Sequence, residues 1–254
     1  MTPIDYDGIA GLYDSYAVWD HDVAFFVDQA RRVAGPVLEL MAGTGRVSLP
    51  LAEAGVRLTC VDASAGMLAV LSRKLAARGL HADVVHADVR ALALPAAFDL
   101  ALLPFNAFME LVTEADQRAA LAAVAACLRP GGRFVCTLHN PAVRKRRITG
   151  EPESLGAYPM PGTGRCLTVT GAYHLASDPS IVRGVQVYVE ADADGRVCRR
   201  VELGVVFRLI EPAELGHMAI QSGFELVELF GNYDRSPFDP SSSPFLIGRF
   251  RRRD

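Results

Sequence analysis

The sequence predicts a doubly wound α/β domain, and three observations carry that expectation. Short apolar stretches alternate with helical segments between residues 37 and 138. The run Val37-Leu38-Glu39-Leu40-Met41-Ala42-Gly43-Thr44-Gly45-Arg46 joins an apolar strand to a glycine turn and then to a helix. Val61-Asp62 follows about one βα unit later and puts an acid at the end of the next strand. Glycines in such a turn let the backbone approach a ligand closely, and the free N–H groups of a helix start favour an anionic or carboxylate group. An acid at the second strand's end can accept hydrogen bonds from both hydroxyls of a ribose, so the pattern points to a nucleoside-bearing cofactor.

In chain order, the first 35 residues carry no strand pattern but hold Tyr6, Tyr13, Tyr16, Trp19, Phe25 and Phe26 in two helix-like stretches, which predicts a helical N-terminal cap. Strands are expected at 37–40, 58–62, 83–86 and 98–103, with an amphipathic segment running to about Arg78. An alanine-rich helix over about 114–128 stops at Arg129-Pro130-Gly131-Gly132, and a fifth strand follows to Leu138. Residues 141–161 are rich in Pro, Gly and charge without periodicity, so they read as a long excursion over the ligand edge of the sheet. Three β-rich stretches follow at 166–177, 181–192 and 197–209. They are separated by Asp178-Pro179-Ser180 and Asp192-Ala193-Asp194-Gly195, which are hairpin turns. The region 141–210 is therefore expected to carry a small inserted antiparallel sheet. Its second stretch alternates Val185, Val187 and Val189 against Gln186, Tyr188 and Glu190, so one face is buried and the other wet. A helix opening at Glu211-Pro212, a strand at 224–230 and a last strand at 245–250 complete a single domain over 1–254.

Composition narrows the function classes. With 254 residues and 50% apolar content the chain can bury a sizeable core. No apolar run is long enough to cross a bilayer, and Met1-Thr2-Pro3-Ile4-Asp5 lacks the basic start of a secretory signal, so a cytoplasmic protein without a membrane partner is expected. Five cysteines, Cys60, Cys127, Cys136, Cys166 and Cys198, show no C-x-x-C spacing; structural thiols are expected rather than a zinc site, and no metal is assigned. A formal net charge of −3 argues against a nucleic-acid substrate. The basic run Arg144-Lys145-Arg146-Arg147 and the terminal arginines have no interleaved aromatics and read as solvated loop and tail charge.

The cofactor class can be narrowed further. A dinucleotide fingerprint wants a third glycine where this chain has Ser48, which weakens a pyrophosphate reading, and no Tyr-x-x-x-Lys pair is present. The Glu39, Gly43 and Gly45 core resembles the first motif of class I S-adenosylmethionine-dependent methyltransferases. Met41-Ala42 stands where that family commonly has Gly-Cys. The resemblance continues through Asp62-Ala63, Met67, Ala87-Asp88-Val89 and the Pro104-Phe105-Asn106 loop, and then through the helix, Ser222-Gly223-Phe224 and two closing strands. It implies a Rossmann-like seven-stranded sheet whose last strand is antiparallel, with S-adenosyl-L-methionine as cofactor and S-adenosyl-L-homocysteine as product.

Carried over residue by residue, the resemblance implies cofactor contacts at Tyr6, Tyr13, Tyr16, Glu39, Met41, Ala42, Gly43, Gly45, Arg46, Asp62, Ala63, Met67, Ala87, Asp88, Val89, Pro104 and Phe105. Asp62 would hold the ribose diol, Met67 would pack on the adenine, and Asp88 would meet its amino group. From the residues alone, Asp62 equally reads as a cap of the helix near Ser64, and Met67 as core. Tyr13 and Tyr16 read as lid or as packing.

Methyl transfer from a sulfonium needs an aligned acceptor in a dry site more than it needs a nucleophile or metal. His139, after the fifth strand, is a candidate base or a loop histidine, and Asn106 orients the acceptor or caps 107–111. Trp19, Phe108, His174, Phe207 and Arg208 are candidate acceptor contacts. The inserted sheet reads as a lid or as a homodimer contact. Leu103-Pro104-Phe105-Asn106 is not the Asn/Asp-Pro-Pro-aromatic motif of amino-methylating nucleic-acid enzymes, which favours a small-molecule acceptor. The reading is a small-molecule methyltransferase, acting at nitrogen in natural-product or amino-sugar metabolism. Transfer to oxygen or carbon, a nicotinamide oxidoreductase, and a noncatalytic cofactor-binding module are the alternatives.

Overall fold

The computed structural model describes residues 4–254; residues 1–3, which the expected cap includes, lie outside the described residues. The chain opens with a 3₁₀ turn at Asp7–Ile9, then α1 (Ala10–Tyr16), α2 (Val23–Arg31), β1 (Val37–Leu40), α3 (Ser48–Glu53), β2 (Leu58–Asp62) and α4 (Ala65–Ala77). Next come β3 (Asp83–His86), a 3₁₀ turn at Val89–Ala91, β4 (Phe98–Leu103), a 3₁₀ turn at Ala107–Glu110, α5 (Glu114–Cys127), β5 (Leu128–His139) and α6 (Pro141–Lys145). The chain closes with β6 (Glu153–Met160), β7 (Arg165–Leu175), β8 (Ile181–Ala191), β9 (Val197–Arg208), α7 (Pro212–Gln221), β10 (Phe224–Phe230) and β11 (Phe245–Arg252).

Seven strands form one sheet in the order β10-β11-β5-β4-β1-β2-β3, and β11 runs antiparallel to both of its neighbours. β1 lies between β4 and β2 and is buried on both faces, which explains its unbroken apolar character apart from Glu39. Alternate residues divide between two cores. Leu38, Leu40, Ala101 and Leu103 face one side, while Val37, Leu100 and Leu102 face the other. The order reverses between β1 and β4, and this switch point opens the crevice in which such sheets bind ligands. Caps set the helix starts beside it: Ser64 Oγ accepts the Met67 N–H at 3.0 Å, and Thr113 Oγ1 accepts the Asp116 N–H at 3.1 Å. Pro130-Gly131-Gly132 turns the chain from α5 to β5, with Gly131 at φ +72° and residues 129–132 looped out of the pairing with β4.

The inserted sheet has four strands, β6-β7-β8-β9, rather than the three expected. β6 comes from the segment read as an irregular excursion. Gly156 at φ +137°, a bulge between Ser154 and Gly156, and Pro159 destroy its period-two pattern, and pairing with β7 supplies what the sequence does not show. In β8 the buried face is the polar one. Tyr188 and Glu190 are the buried members of their strand segment, whereas Val185 is 42% exposed. The polar triplet turns inward because partners await it there. Tyr188 donates to Gln186 at 2.6 Å, Gln186 donates to Tyr173 at 2.7 Å, and Glu190 pairs with Arg165 at 2.6 Å. All five cysteines are free thiols, with Cys60, Cys127 and Cys136 buried.

Candidate active site

A cavity of about 390 Å³ opens at the carboxyl ends of β1 to β4. Met41 and Gly43 reach it from the turn after β1, Asp62 and Ala63 from the end of β2, Met67 from α4, and Ala87, Asp88 and Val89 from the end of β3. Tyr6, Tyr13 and Tyr16 cover it from the cap, and Phe105 and Glu110 close it from the loop after β4.

Asp62 is central. One carboxylate oxygen accepts the Gly43 N–H at 2.7 Å and the other the Ser64 N–H at 2.8 Å, while burial raises its pKa. The carboxylate lines the cavity. Ser64, not Asp62, caps α4. Gly43 sits at φ +57°, and a Cβ there would meet only open space, so the turn leaves room for a ligand against its backbone. Gly45 serves packing instead, since a Cβ there would stand 2.3 Å from Leu71 Cδ1 of α4. Glu39 is 1% exposed and neither carboxylate oxygen has a hydrogen-bond partner; burial pushes its pKa up to about 8. A buried orphan acid is costly, and a cationic ligand group would relieve it.

The cap is clamped to this cavity. Asp7 accepts from the Ser64 hydroxyl and from the Gly66 N–H at 2.9 Å, and Asp14 takes the Thr44 hydroxyl at 2.6 Å and Lys74 at 2.8 Å. Arg46 donates to the Trp19 carbonyl at 2.8 Å and grips Asp22 with both nitrogens, one at 2.6 Å, with its guanidinium 4.5 Å above the Phe105 ring centre. Arg46 thus locks the linker between α1 and α2 onto the glycine turn. Ala42, Gly45, Arg46, Pro104 and Glu39 support the cavity without lining it. Asp88 lines it, but both its oxygens are gripped by Arg90, so the carboxylate is already neutralised.

A second cavity of about 450 Å³ lies beyond a shared wall formed by Ile4, Tyr6, Tyr16, Phe105, Glu110 and Gln186. Trp19, Asn106, His139 and Phe207, singled out in the sequence, line it. Phe108, His174 and Arg208 do not, and here the structure corrects the expectation. Phe108 is fully buried in the core, His174 is exposed on the far side of β7, and Arg208 is tied to Glu214 at 2.6 Å and Gln117 at 2.9 Å. The inserted sheet roofs this cavity with Leu155, Tyr173, Gln186 and Val205. Tyr16 joins cap to roof through edge contacts with Tyr158 at 5.9 Å and Tyr188 at 5.8 Å.

Glu110 is the residue that sequence reasoning missed. It lines both cavities, accepts the Tyr6 hydroxyl at 2.8 Å, and burial pushes its pKa up to about 7. The only signal was its place at the end of the loop after β4. His139 is pushed down to about 3 by burial and by the charges of Arg144 and Arg147. Asn106 does not cap the following turn; its Oδ1 is buried without a partner. Met41, Phe105 and Asn106 all hold φ between 53° and 63°, which is costly for such residues, and all three line the cavities.

Residues 37–132 match a family model described as a methyltransferase domain. The chain is 28% identical over 215 residues to a cypemycin N-terminal methyltransferase from Streptomyces sp, covering 83% of this chain and 81% of that protein. It spans between 25% and 53% of four further curated relatives. Among solved structures it resembles the CcbJ methyltransferase from Streptomyces caelestis, with TM-score 0.76 and 27% identity over 98% of this chain and 99% of that one. It also shares the fold of an S-adenosylmethionine-bound amino pentose methyltransferase from Micromonospora echinaspora, with TM-score 0.72 and 21% identity over 95% of each chain. Residues 37–132 thus form a class I S-adenosylmethionine-dependent methyltransferase domain. S-adenosylmethionine is its cofactor, and the first cavity suits it: Asp62 lines it with a carboxylate that can accept from a diol, and Gly43 leaves open space. Among the described residues no helix is long and apolar enough to cross a membrane.

Proposed function

We propose that this methyltransferase acts on nitrogen in a small molecule of natural-product or amino-sugar type, with the second cavity as the acceptor site. The observation that carries the reading is the wall common to the two cavities, with Glu110 in it. When bound, S-adenosylmethionine supplies an electrophilic methyl group on a sulfonium. Asp62 holds the cofactor's ribose, and Tyr6, Tyr13 and Met67 enclose its nucleoside end. Glu110 takes the proton from the acceptor amine, freeing the lone pair for attack, and Tyr6 steadies the carboxylate in doing so. The orphan Oδ1 of Asn106 accepts an N–H of the acceptor, an arrangement that suits an amine better than an ether or carbon nucleophile. His139 stays neutral and orients rather than ionises. Trp19, Tyr16 and Phe105 keep water from the reacting atoms. The similarity to a cypemycin N-terminal methyltransferase supports nitrogen as the target.

The test is calorimetric titration of S-adenosylhomocysteine and NADPH, followed by labelled-methyl transfer to panels of amines and phenols. Binding of the first ligand alone, with label passing to amines, supports the reading. Transfer confined to phenols, or binding of NADPH alone, overturns it.

A further inference from the structure

The basic run at residues 144–147 was expected to be solvated loop charge, yet α6 sorts it. Residues three apart share one side of a helical turn, and Arg144 and Arg147 both line the second cavity. Lys145 and Arg146 turn elsewhere, with Lys145 Nζ 3.7 Å from Glu211 and Arg146 donating to the Ser241 carbonyl at 2.8 Å. The Arg144 guanidinium lies 5.4 Å from the ring centre of Tyr173 and 5.7 Å from that of Phe207. Its Nε is buried without a hydrogen-bond partner, and among the described residues it forms no ion pair. Glu153 lines the same cavity from β6 and pairs with neither arginine. Elsewhere in the site the cation is answered, as Arg46 is by Asp22 and Arg90 by Asp88 and Asp116. Arg144 and Arg147 have no such partner among the described residues. A partly dehydrated guanidinium packed beside two aromatic rings is poised to receive a planar or tetrahedral anion.

We propose that the acceptor carries an anionic group, a carboxylate or a phosphate, which Arg144 and Arg147 bind while its nucleophilic atom reaches the Glu110 wall. This rests on reading the second cavity as the acceptor site. Arg144 lines only that cavity while Glu110 lines both, so the acceptor is held at one place and reacts at another. The same two cations help to keep His139 neutral, which fits an arginine pair close to the cavity's interior.

The test titrates phenyl phosphate, benzoate and the neutral benzamide into protein saturated with S-adenosylhomocysteine, using the wild type and Arg144→Gln. At least one anion is expected to bind tenfold or more tightly than benzamide in the wild type, and Arg144→Gln should bring that ratio near unity. Preference for phenyl phosphate or for benzoate then identifies the anionic group. Equal or tighter binding of benzamide, no anion binding at millimolar concentration, or an unchanged ratio in Arg144→Gln overturns the proposal. The wild-type comparison needs no variant, so a folding defect in Arg144→Gln does not shelter the idea. Loss of S-adenosylhomocysteine binding would instead count against the cofactor reading, so the two failures are distinguishable.

Discussion

The cofactor cavity and the cavity proposed for the acceptor share a wall but are built in different ways. The first is floored by the ends of four parallel strands, and its floor residues fall between Met41 and Glu110 in chain order. The second gathers Trp19 from the cap linker, His139 from β5, Arg144 from α6, Tyr173 and Phe207 from the inserted sheet, and Phe245 from β11. A strand end fixes its side chains by hydrogen-bond register, so a local motif suffices to place them. A cavity assembled from distant segments depends on how cap, roof and closing strand pack, and no short motif encodes it.

The largest effect should come from the motif-built side. Asp62→Ala removes a buried carboxylate with two backbone N–H partners, each such bond worth about 1.5–3 kcal/mol. Calorimetry should show S-adenosylhomocysteine affinity falling ~100-fold or more, and a loss below tenfold would show that the strand-end acid does not anchor the ribose.

Glu110→Gln sharpens the comparison by separating the two cavities. It should lower kcat/KM by ~10²–10³ while leaving S-adenosylhomocysteine affinity within a few-fold. A base must be deprotonated, so wild-type kcat/KM should rise with pH until it levels off near 7, or somewhat lower once a sulfonium charge is bound. The variant should lose that limb; an unaltered profile would remove Glu110 from the chemistry.

Glu39→Gln is expected to act on stability and cofactor binding in opposite directions. The carboxyl is held near 8 in the fold, above the ~4.3 of an unfolded chain. The wild type therefore has its full contribution from this group below about pH 4 and loses it as pH rises toward 8. Removing the charge should stabilise the free protein by on the order of 2 kcal/mol at pH 8 and hardly at pH 4, read as Tm at the two pH values. Cofactor affinity should fall about tenfold, the worth of one charge-assisted hydrogen bond. Equal Tm changes at both pH values would mean that Glu39 is already matched.

The smallest effect is expected at His139. Its basicity is depressed to about 3, so it is a poor proton acceptor at neutral pH. His139→Gln should cost less than about tenfold in kcat, far below Glu110→Gln. The reverse ranking in steady-state kinetics would return the base to the end of β5.

Much of the cofactor side was legible because each of its residues follows a strand whose apolar run marks where it ends. Gly43, Asp62, Met67, Ala87 and Asp88 all reach the cavity from positions the sequence singled out. The acceptor side was legible only in part. Trp19, Asn106, His139 and Phe207 line the second cavity and Phe108, His174 and Arg208 do not, because a side chain's inward or outward direction on a loop or inserted strand follows from tertiary packing. β8 makes the point: its alternation says that one face is buried but not which, and the polar face turns inward because its tyrosines and glutamine satisfy one another there.

The sequence by itself determined the doubly wound sheet, the antiparallel closing strand and the acid and glycine positions at the ligand edge. Those features follow from hydrophobic period and turn chemistry, which act over a few residues at a time. Tertiary structure alone decided that β6 completes the roof, that Glu110 stands between the two cavities, and that Arg144 faces rings instead of solvent. Each of these depends on groups far apart in the chain being buried together, where the loss of water gives an acid or a guanidinium its altered proton affinity or its need for a partner.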